Sequence, residues 1–170
     1  MIRLVLAAVL SVALLATATA ALEDARRSRS ETLADGSVAR VADTVTELPA
    51  EESSVTAWPD AARRVVEVGV PPGGIAETRV SYVAIGGVPG ESVEADTDDG
   101  DVLAYRLAGG DPRVQRVPVD LRALLDQPSD ERDRQVLAPD DEPLVFRSTT
   151  TVEFGLLQRR GRPVVVARRG

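Results

Sequence analysis

Residues 4–22 read LVLAAVLSVALLATATAAL, a stretch without a charged side chain. At about 1.5 Å of rise per helical residue, its length is close to the roughly 30 Å of a bilayer core. One Ser and two Thr are its only polar side chains. A helix buried in a soluble protein would instead carry polar residues along one side. The stretch therefore predicts a helix that is directed to a membrane.

Two fates are open for this segment. The small residues ATATA at 16–20 follow Arg3 and an apolar run, as in a cleavable signal with an Ala-x-Ala site. The apolar run continues to Leu22, and this length favours a retained anchor. We expect residues 1–22 to be a single-pass anchor in the cell membrane, with residues 4–22 inside the bilayer. The alternative is a protein that is secreted after cleavage.

The charges that flank the apolar run bear on its orientation. Arg26, Arg27 and Arg29 would place the following domain inside the cell by the positive-inside rule. Glu23 and Asp24 lie beside them and offset that bias. We expect the domain to lie outside the cell.

Residues 23–48 are predicted to form an amphipathic helix. Asp35 or Ser37 could cap its start, Gly36 breaks its continuity with the upstream part, and Pro49 marks its end. This helix either packs on its own domain or presents a contact surface to an assembly. Its apolar residues recur at spacings of three, four and three: Val38, Val41, Val45 and Leu48.

A polar linker is predicted at 49–60, followed by a β-rich domain at 61–170. Trp58, the only Trp, lies in the linker and could either anchor a partner or close the edge of the core. In the domain, period-two patterns and Gly pairs predict about six antiparallel strands in a curled sheet or small sandwich. Residues 121–125, LRALL, are predicted as a short turn after Asp120. The predicted strands are 63–70, 78–85, 102–107, 114–119, 144–146, 150–158 and 164–167, the last two joined by a turn at 159–162. The fold class is α+β.

The charge composition is unusual, because all 20 basic residues are Arg and none is Lys. Against 27 acidic residues this gives a net charge of -7. An acidic, Lys-free chain is typical of a GC-rich extreme halophile, in which carboxylates maintain solubility in strong salt. GC-rich codon usage alone is the other explanation. No basic face with interleaved aromatic residues is present, so we expect no nucleic-acid partner.

The chain has no Cys and no His. This composition removes disulfides, thiol chemistry, zinc sites with Cys or His ligands, and every triad that uses His. The Gly pairs do not form a dinucleotide or phosphate loop, and no Lys is present to meet a phosphate. We expect no cofactor, no catalytic residue and no enzymatic activity.

The acidic loop at 94–101 supplies the candidate metal ligands, because oxygen clusters suit Ca²⁺ or Mg²⁺. Its spacing does not match an EF-hand, since the fifth position counted from the first candidate is Gly100. A solvated loop of an acidic protein is the simpler interpretation. The candidates are Asp96, Asp98, Asp99 and Asp101.

The basic residues of the C-terminal hairpin form the second candidate surface. Arg159, Arg160 and Arg162 surround the predicted turn, and Arg168 and Arg169 follow in the tail. They could dock an acidic partner or lipid headgroups. Alternatively, they guard a sheet edge against pairing with another chain.

The start MIRLVLAAVLSVALLA, the end GRPVVVARR and the Lys-free composition resemble a family of small uncharacterised haloarchaeal membrane-anchored proteins. That family is associated with gene clusters for pilus or secretion-like machinery. The layout also resembles type IV pilins and pseudopilins, with an apolar helix, an amphipathic continuation and an antiparallel sheet. It departs from them because no basic leader with a cleavage site precedes the apolar run, and no Glu lies five residues into a mature end.

The resemblance implies a structural or accessory component of an envelope assembly, with protein partners in that assembly. A second hypothesis is an exported β-rich binding module for a small ligand or a divalent cation. Cleavage near Ala20 would separate the two.

Overall fold

The computed structural model describes residues 2–90, 101–124 and 142–170. These residues form a helix, a short 3-10 turn at Trp58–Asp60 and eight strands, so the α+β prediction is confirmed. The elements are α1 (Ile2–Glu51), β1 (Arg63–Val68), β2 (Val80–Ile85), β3 (Asp101–Leu107), β4 (Pro112–Val117), β5 (Leu121–Ala123), β6 (Leu144–Phe146), β7 (Thr150–Arg159) and β8 (Arg162–Arg169).

Helix α1 runs without interruption through 50 residues, which corresponds to a rod about 75 Å long. The predicted break at Gly36 is wrong, because the helix continues through this residue. A glycine in the interior of a helix costs about 1 kcal/mol relative to alanine, and the packing of the residues around Gly36 offsets this cost. Pro49 lies inside the helix but only two residues before its end, where few backbone hydrogen bonds remain to be lost. The linker therefore begins after Glu51.

The strands form two four-stranded sheets. The first has the order β1-β7-β8-β5 and the second the order β4-β3-β2-β6. All pairs are antiparallel except β5 with β8, where Leu121 lies opposite Val165. The prediction of a turn at 121–125 is wrong for its first part, because β5 is a strand. Three residues are too few for period-two alternation to be visible in a sequence.

The main core lies between the two sheets and the second half of α1. Alternation along the strands sorts side chains between this core and the outer faces, as predicted for Leu103, Tyr105 and Leu107 of β3. On β7, Val152, Phe154 and Leu156 also face the core. Smaller clusters cover the opposite face of each sheet, around Trp58 and Leu157 on one sheet and around Tyr82 and Val102 on the other.

Trp58 is buried and is therefore not an exposed anchor for a partner, but it lies in a separate cluster and not at the edge of the main core. Its side chain is only 4% exposed and packs with Leu157, Val164 and Val166 on the outer face of the first sheet. The linker is held to the same sheet, because Val55 exchanges backbone hydrogen bonds with strand β7.

Candidate functional site

The first half of α1 is an exposed apolar rod. None of the most apolar 18-residue window is buried in the protein. The following large apolar side chains are each at least 55% exposed: Ile2, Val5, Leu6, Val9, Leu10, Val12, Leu14 and Leu15. Among the described residues, one helix, α1, is long enough and apolar enough to cross a membrane. Burial of this apolar surface in an apolar environment would be favourable.

The second half of α1 is fixed to the β domain by two buried serines. The Ser30 hydroxyl accepts a hydrogen bond from the Thr78 amide at 2.8 Å, and the Ser37 hydroxyl accepts one from the Gly69 amide at 2.9 Å. Both serines are fully buried. They are seven residues apart and so lie on one face of the helix. The loop between β1 and β2 is therefore aligned along the helix.

Ionic contacts surround the helix where it leaves the domain. Arg29 Nε donates to Glu77 Oε1 at 3.2 Å, from α1 to the loop before β2. Glu31 Oε1 lies 2.9 Å from Arg113 at the start of β4 and 3.8 Å from Arg27. Half-exposed pairs of this kind contribute little individually. Together with Ser30, they define the junction end of the domain, formed by residues 26–31, 71–79 and 107–113.

Tyr105 lies beside this junction end and donates a hydrogen bond of 2.7 Å to Asp35 Oδ1. Burial and the adjacent Asp35 carboxylate raise the pKa of Tyr105 above its ordinary value of 10.0. The hydroxyl therefore stays protonated and serves as a donor rather than as a base. A half-open cavity of about 400 Å³ lies next to it, lined by Arg27, Glu31, Leu107 and Arg113 among others.

The predicted seam on the helix lies inside the protein. Its residues pack in the main core with both sheets, so the helix packs on its own domain. They are not accessible to a partner in this fold. Their exposed fractions are 3% for Val38, 1% for Val41 and 0% for Val45 and Leu48.

The candidate metal ligands are only in part within the described residues. Asp96, Asp98 and Asp99 lie outside them. Asp101 begins β3, and its carboxylate accepts hydrogen bonds from the Val102 amide at 2.8 Å and the Leu121 amide at 3.2 Å. Burial raises the pKa of Asp101 above its usual 3.8. In the described part of the chain, no group of three or more acidic residues is placed to hold a metal ion.

Asp101 has a structural role that the sequence did not reveal. It belongs to the second sheet, and its contact with Leu121 reaches β5 of the first sheet. A second such link joins Arg169 of β8 to β6, since its guanidinium donates to the Val145 carbonyl at 2.8 Å and lies 5.3 Å from the Phe146 ring centre. Each contact joins an inner strand of one sheet, β3 or β8, to an edge strand of the other, β5 or β6.

The basic residues of the C-terminal hairpin are separated by the structure. Arg160 and Gly161 form the turn between β7 and β8, both with positive φ, and Arg159 lies opposite Arg162. Arg160 and Arg162 are exposed. Arg168 and Arg169 lie at the other end of β8, about 20 Å away along the strand, and contact Trp58 and Phe146.

The turn at 159–162 lies far from the junction end. Strand β1 runs toward that end, and its last residue, Val68, lies opposite Thr150 at the start of β7. Because the two strands are antiparallel, β7 runs away from the junction end and finishes at Arg159. The turn therefore lies at the end of the β domain that is remote from the apolar half of α1.

The two serines are the part of this site that the sequence analysis missed. Ser30, Ala34 and Ser37 extend the apolar seam of α1 by two turns toward the N-terminus, with small residues in place of Val and Leu. Their spacing of four and three is the one signal that could have revealed this close helix–loop contact.

In this fold, the second half of α1 packs in the core of a two-sheet β domain, and the first half extends from the domain as an exposed apolar helix. The family described as "Domain of unknown function (DUF7311)" matches residues 1–170, so the chain belongs to this family. No curated protein and no solved structure matches the chain.

Proposed function

We propose that this is a non-enzymatic, membrane-anchored envelope protein that serves as a structural or accessory component of a pilus-like or secretion-like assembly. The observation that carries the proposal is the single helix α1, whose first half exposes apolar side chains and whose second half forms part of the domain core. Since no flexible linker separates the halves, the helix would transmit the position of the anchor to the domain.

The resemblance to type IV pilins and pseudopilins supports the proposal at the level of layout. Those proteins also join an apolar N-terminal helix and an antiparallel sheet in one subunit. The acidic, Lys-free composition supports a halophilic, archaeal origin, in which the net charge of -7 would keep the exposed domain soluble in strong salt.

In this proposal the domain lies outside the cell and presents the turn at 159–162 to its partners. The turn lies at the end of the domain opposite the anchor, and Arg160 and Arg162 are exposed there. A partner with an acidic surface would be recognised by these guanidinium groups. The buried seam of α1 would have no part in partner contact.

Membrane fractionation of the native protein, followed by intact-mass measurement, tests the anchor. The full chain should remain in the pellet after washes with high salt and with carbonate. Val12→Arg places a charge in the middle of the apolar half and should move the protein to the soluble fraction. Leu33→Arg is the matched control, because Leu33 is 44% exposed on the same helix but within the domain. A soluble wild-type protein would contradict the anchor.

A pull-down from native membranes tests the assembly role. The wild-type chain should retain specific envelope proteins, and the double variant Arg160→Glu, Arg162→Glu should lose them while it still fractionates with membranes. Retention of the same partners by this variant would show that the turn is not the contact surface.

A second candidate function is an exported binding module released by cleavage after Ala20. One observation favours it: among the side chains of α1 that the structure describes, Ser30 is the first buried one, so removal of residues 1–20 would leave the described core contacts intact. An intact mass that corresponds to a chain starting at Ala21 would establish this candidate and overturn the anchor.

A further inference from the structure

We propose that the loop between β1 and β2 forms a second membrane contact, with Ile75 inserted into the headgroup layer of the same bilayer that holds α1. This inference rests on the proposed anchor. It adds a residue that would fix the orientation of the domain against the membrane surface.

The loop is a narrow hairpin with Ile75 and Ala76 at its apex. The Val80 amide donates to the Pro71 carbonyl at 3.1 Å, and the Gly74 amide donates to the Glu77 carbonyl at 2.9 Å. The backbone of Gly73 packs so closely on Arg79 that an added Cβ would lie 2.8 Å from the Arg79 Cβ. The two legs of the hairpin are therefore held together, and the apex is preorganised.

The hairpin points along α1 toward its apolar half. Gly69, before the hairpin, is bonded to Ser37, and Thr78, near the apex, is bonded to Ser30. The contacts thus move about 10 Å along the helix axis toward its N-terminus. Glu77 continues this direction, because it is bonded to Arg29.

The same contacts place the apex close to the end of the apolar run. Ser30 lies eight residues after Leu22, about 12 Å along the axis. From Thr78 the chain advances up to about 7 Å to the apex. The apex therefore lies at least about 5 Å from the level of Leu22, and this lower limit is comparable with the thickness of one headgroup layer. If the hydrocarbon core ends at Leu22, Ile75 meets the interface.

The chemistry of the apex fits this position. Ile75 is 89% exposed, more than any other large apolar side chain in the described part of the β domain. A single exposed Ile is ordinary on a protein surface; its place beside the apolar half of α1 is what assigns it to the membrane. Arg79 is exposed in the same hairpin, and Arg29 of α1 is paired with Glu77 beside the apex. Long Arg side chains can reach phosphate groups while their stems remain in the interface.

The depth of the apex in vesicles tests this inference. Because the chain has no Cys, Ala76→Cys gives the full-length protein one labelling site next to an intact Ile75. The variant would carry a small fluorophore and would be reconstituted into phosphatidylcholine–phosphatidylglycerol vesicles. Quenching by a nitroxide on lipid headgroups and by a water-soluble quencher would then be compared. We expect strong quenching by the lipid nitroxide and several-fold protection from the aqueous quencher.

Two further single-Cys variants separate this inference from the anchor itself. Val12→Cys, in the middle of the apolar half, should be protected from the aqueous quencher, and Val65→Cys, exposed on β1, should be accessible to it. A buried label at position 12 together with an aqueous label at 76 would overturn the second contact and leave the anchor intact. An aqueous label at position 12 would overturn both.

The role of Ile75 is tested in the Ala76→Cys background. Ile75→Ser should reduce quenching by the lipid nitroxide severalfold while the label at position 12 stays protected. Unchanged quenching would overturn the assignment of Ile75. A label at 76 that is shielded from both quenchers would indicate protein–protein contact at the apex, which also contradicts the proposal.

Discussion

Gly155 lies on β7 against the six-membered ring of Trp58. A Cβ added to Gly155 would lie 2.7 Å from Cζ3 of that ring, closer than van der Waals contact allows. The reason for glycine is close approach and not backbone conformation, since its φ is not in the left-handed region. Nothing in the local sequence shows this contact, because Trp58 is almost a hundred residues away in a segment that reads as a linker.

Gly155→Ala should therefore destabilise the domain by about 1–3 kcal/mol, the usual cost of overpacking. Chemical unfolding followed by circular dichroism measures the free energy of unfolding. Gly74→Ala is the matched control, because a Cβ at Gly74 meets nothing within 4 Å. Equal stabilities of the two variants would contradict the close contact between Gly155 and Trp58.

Asp101 is the residue-scale contact that depends on pH. Burial raises its pKa above 3.8, although two backbone amides favour the charged form. The folded state therefore binds the proton more readily than the unfolded state does. The stability contributed by Asp101 is fully present below its unfolded pKa and is lost as the pH rises through its folded pKa.

Comparison with Asp101→Asn isolates this dependence, because Asn does not titrate. The free energy of unfolding of the wild type, relative to that of Asp101→Asn, should increase when the pH is lowered from about 7 to about 4.5. The other carboxylates contribute equally to the pH dependence of both proteins, so their contributions cancel in the difference between the two free energies of unfolding. A relative stability that falls over this range would contradict the burial of Asp101.

Helix α1 shows where local sequence signals fail at the scale of an element. Gly36 and Pro49 are read as a break and an end, yet the helix includes both. The contacts that override them are distant in sequence: Ser37 with Gly69, and the packing of Val45 and Leu48 against the sheets. The apolar half of α1 was predictable because 19 consecutive uncharged residues need no tertiary information. The serine contacts were not, since they depend on the partner loop.

The strands follow the same rule. Long segments with period-two alternation, such as β7 and β8, were predicted together with their turn. β5 was missed, because its three residues become a strand only through pairing with Val165 and its neighbours on β8. The candidate site divides in the same way. The arginines of the turn could be named from the sequence, whereas their separation from the apolar half of α1 follows only from the register of β1 and β7.

Gly36→Ala tests the continuity of the helix. An added Cβ would meet only Arg40 at 4.0 Å, and Gly36 has no positive φ. In an uninterrupted helix the substitution should stabilise the domain by about 0.5–1 kcal/mol. Thermal or chemical unfolding would measure the change. A loss of stability would show that Gly36 adopts a conformation that only glycine tolerates.

At the scale of the whole molecule, the excess of carboxylates should make the fold dependent on salt. With 27 acidic and 20 basic residues, the net charge of -7 repels itself in dilute buffer. Strong salt screens this repulsion, while the few half-exposed ion pairs of the junction end have little stability to lose.

The Tm should therefore rise by several degrees between about 0.1 M and about 2 M KCl, a range over which the screening length falls to a few Å. Differential scanning calorimetry of the full chain in detergent would measure it. A control series in which sucrose replaces the salt separates screening from general exclusion effects. A Tm that is constant or falls with KCl would contradict the halophilic interpretation.

One continuous helix, α1, joins the apolar segment at residues 4–22 to the β domain. Since the chain has no Cys, the double variant Val12→Cys, Leu33→Cys accepts two spin labels on exposed positions of α1, one in each half. Pulsed electron–electron double resonance in vesicles should give one narrow distribution of label–label distances centred at about 32 Å, the rise of 21 helical residues. A broad distribution, or a clearly shorter distance, would show a hinge between the two halves and would contradict the continuity of α1.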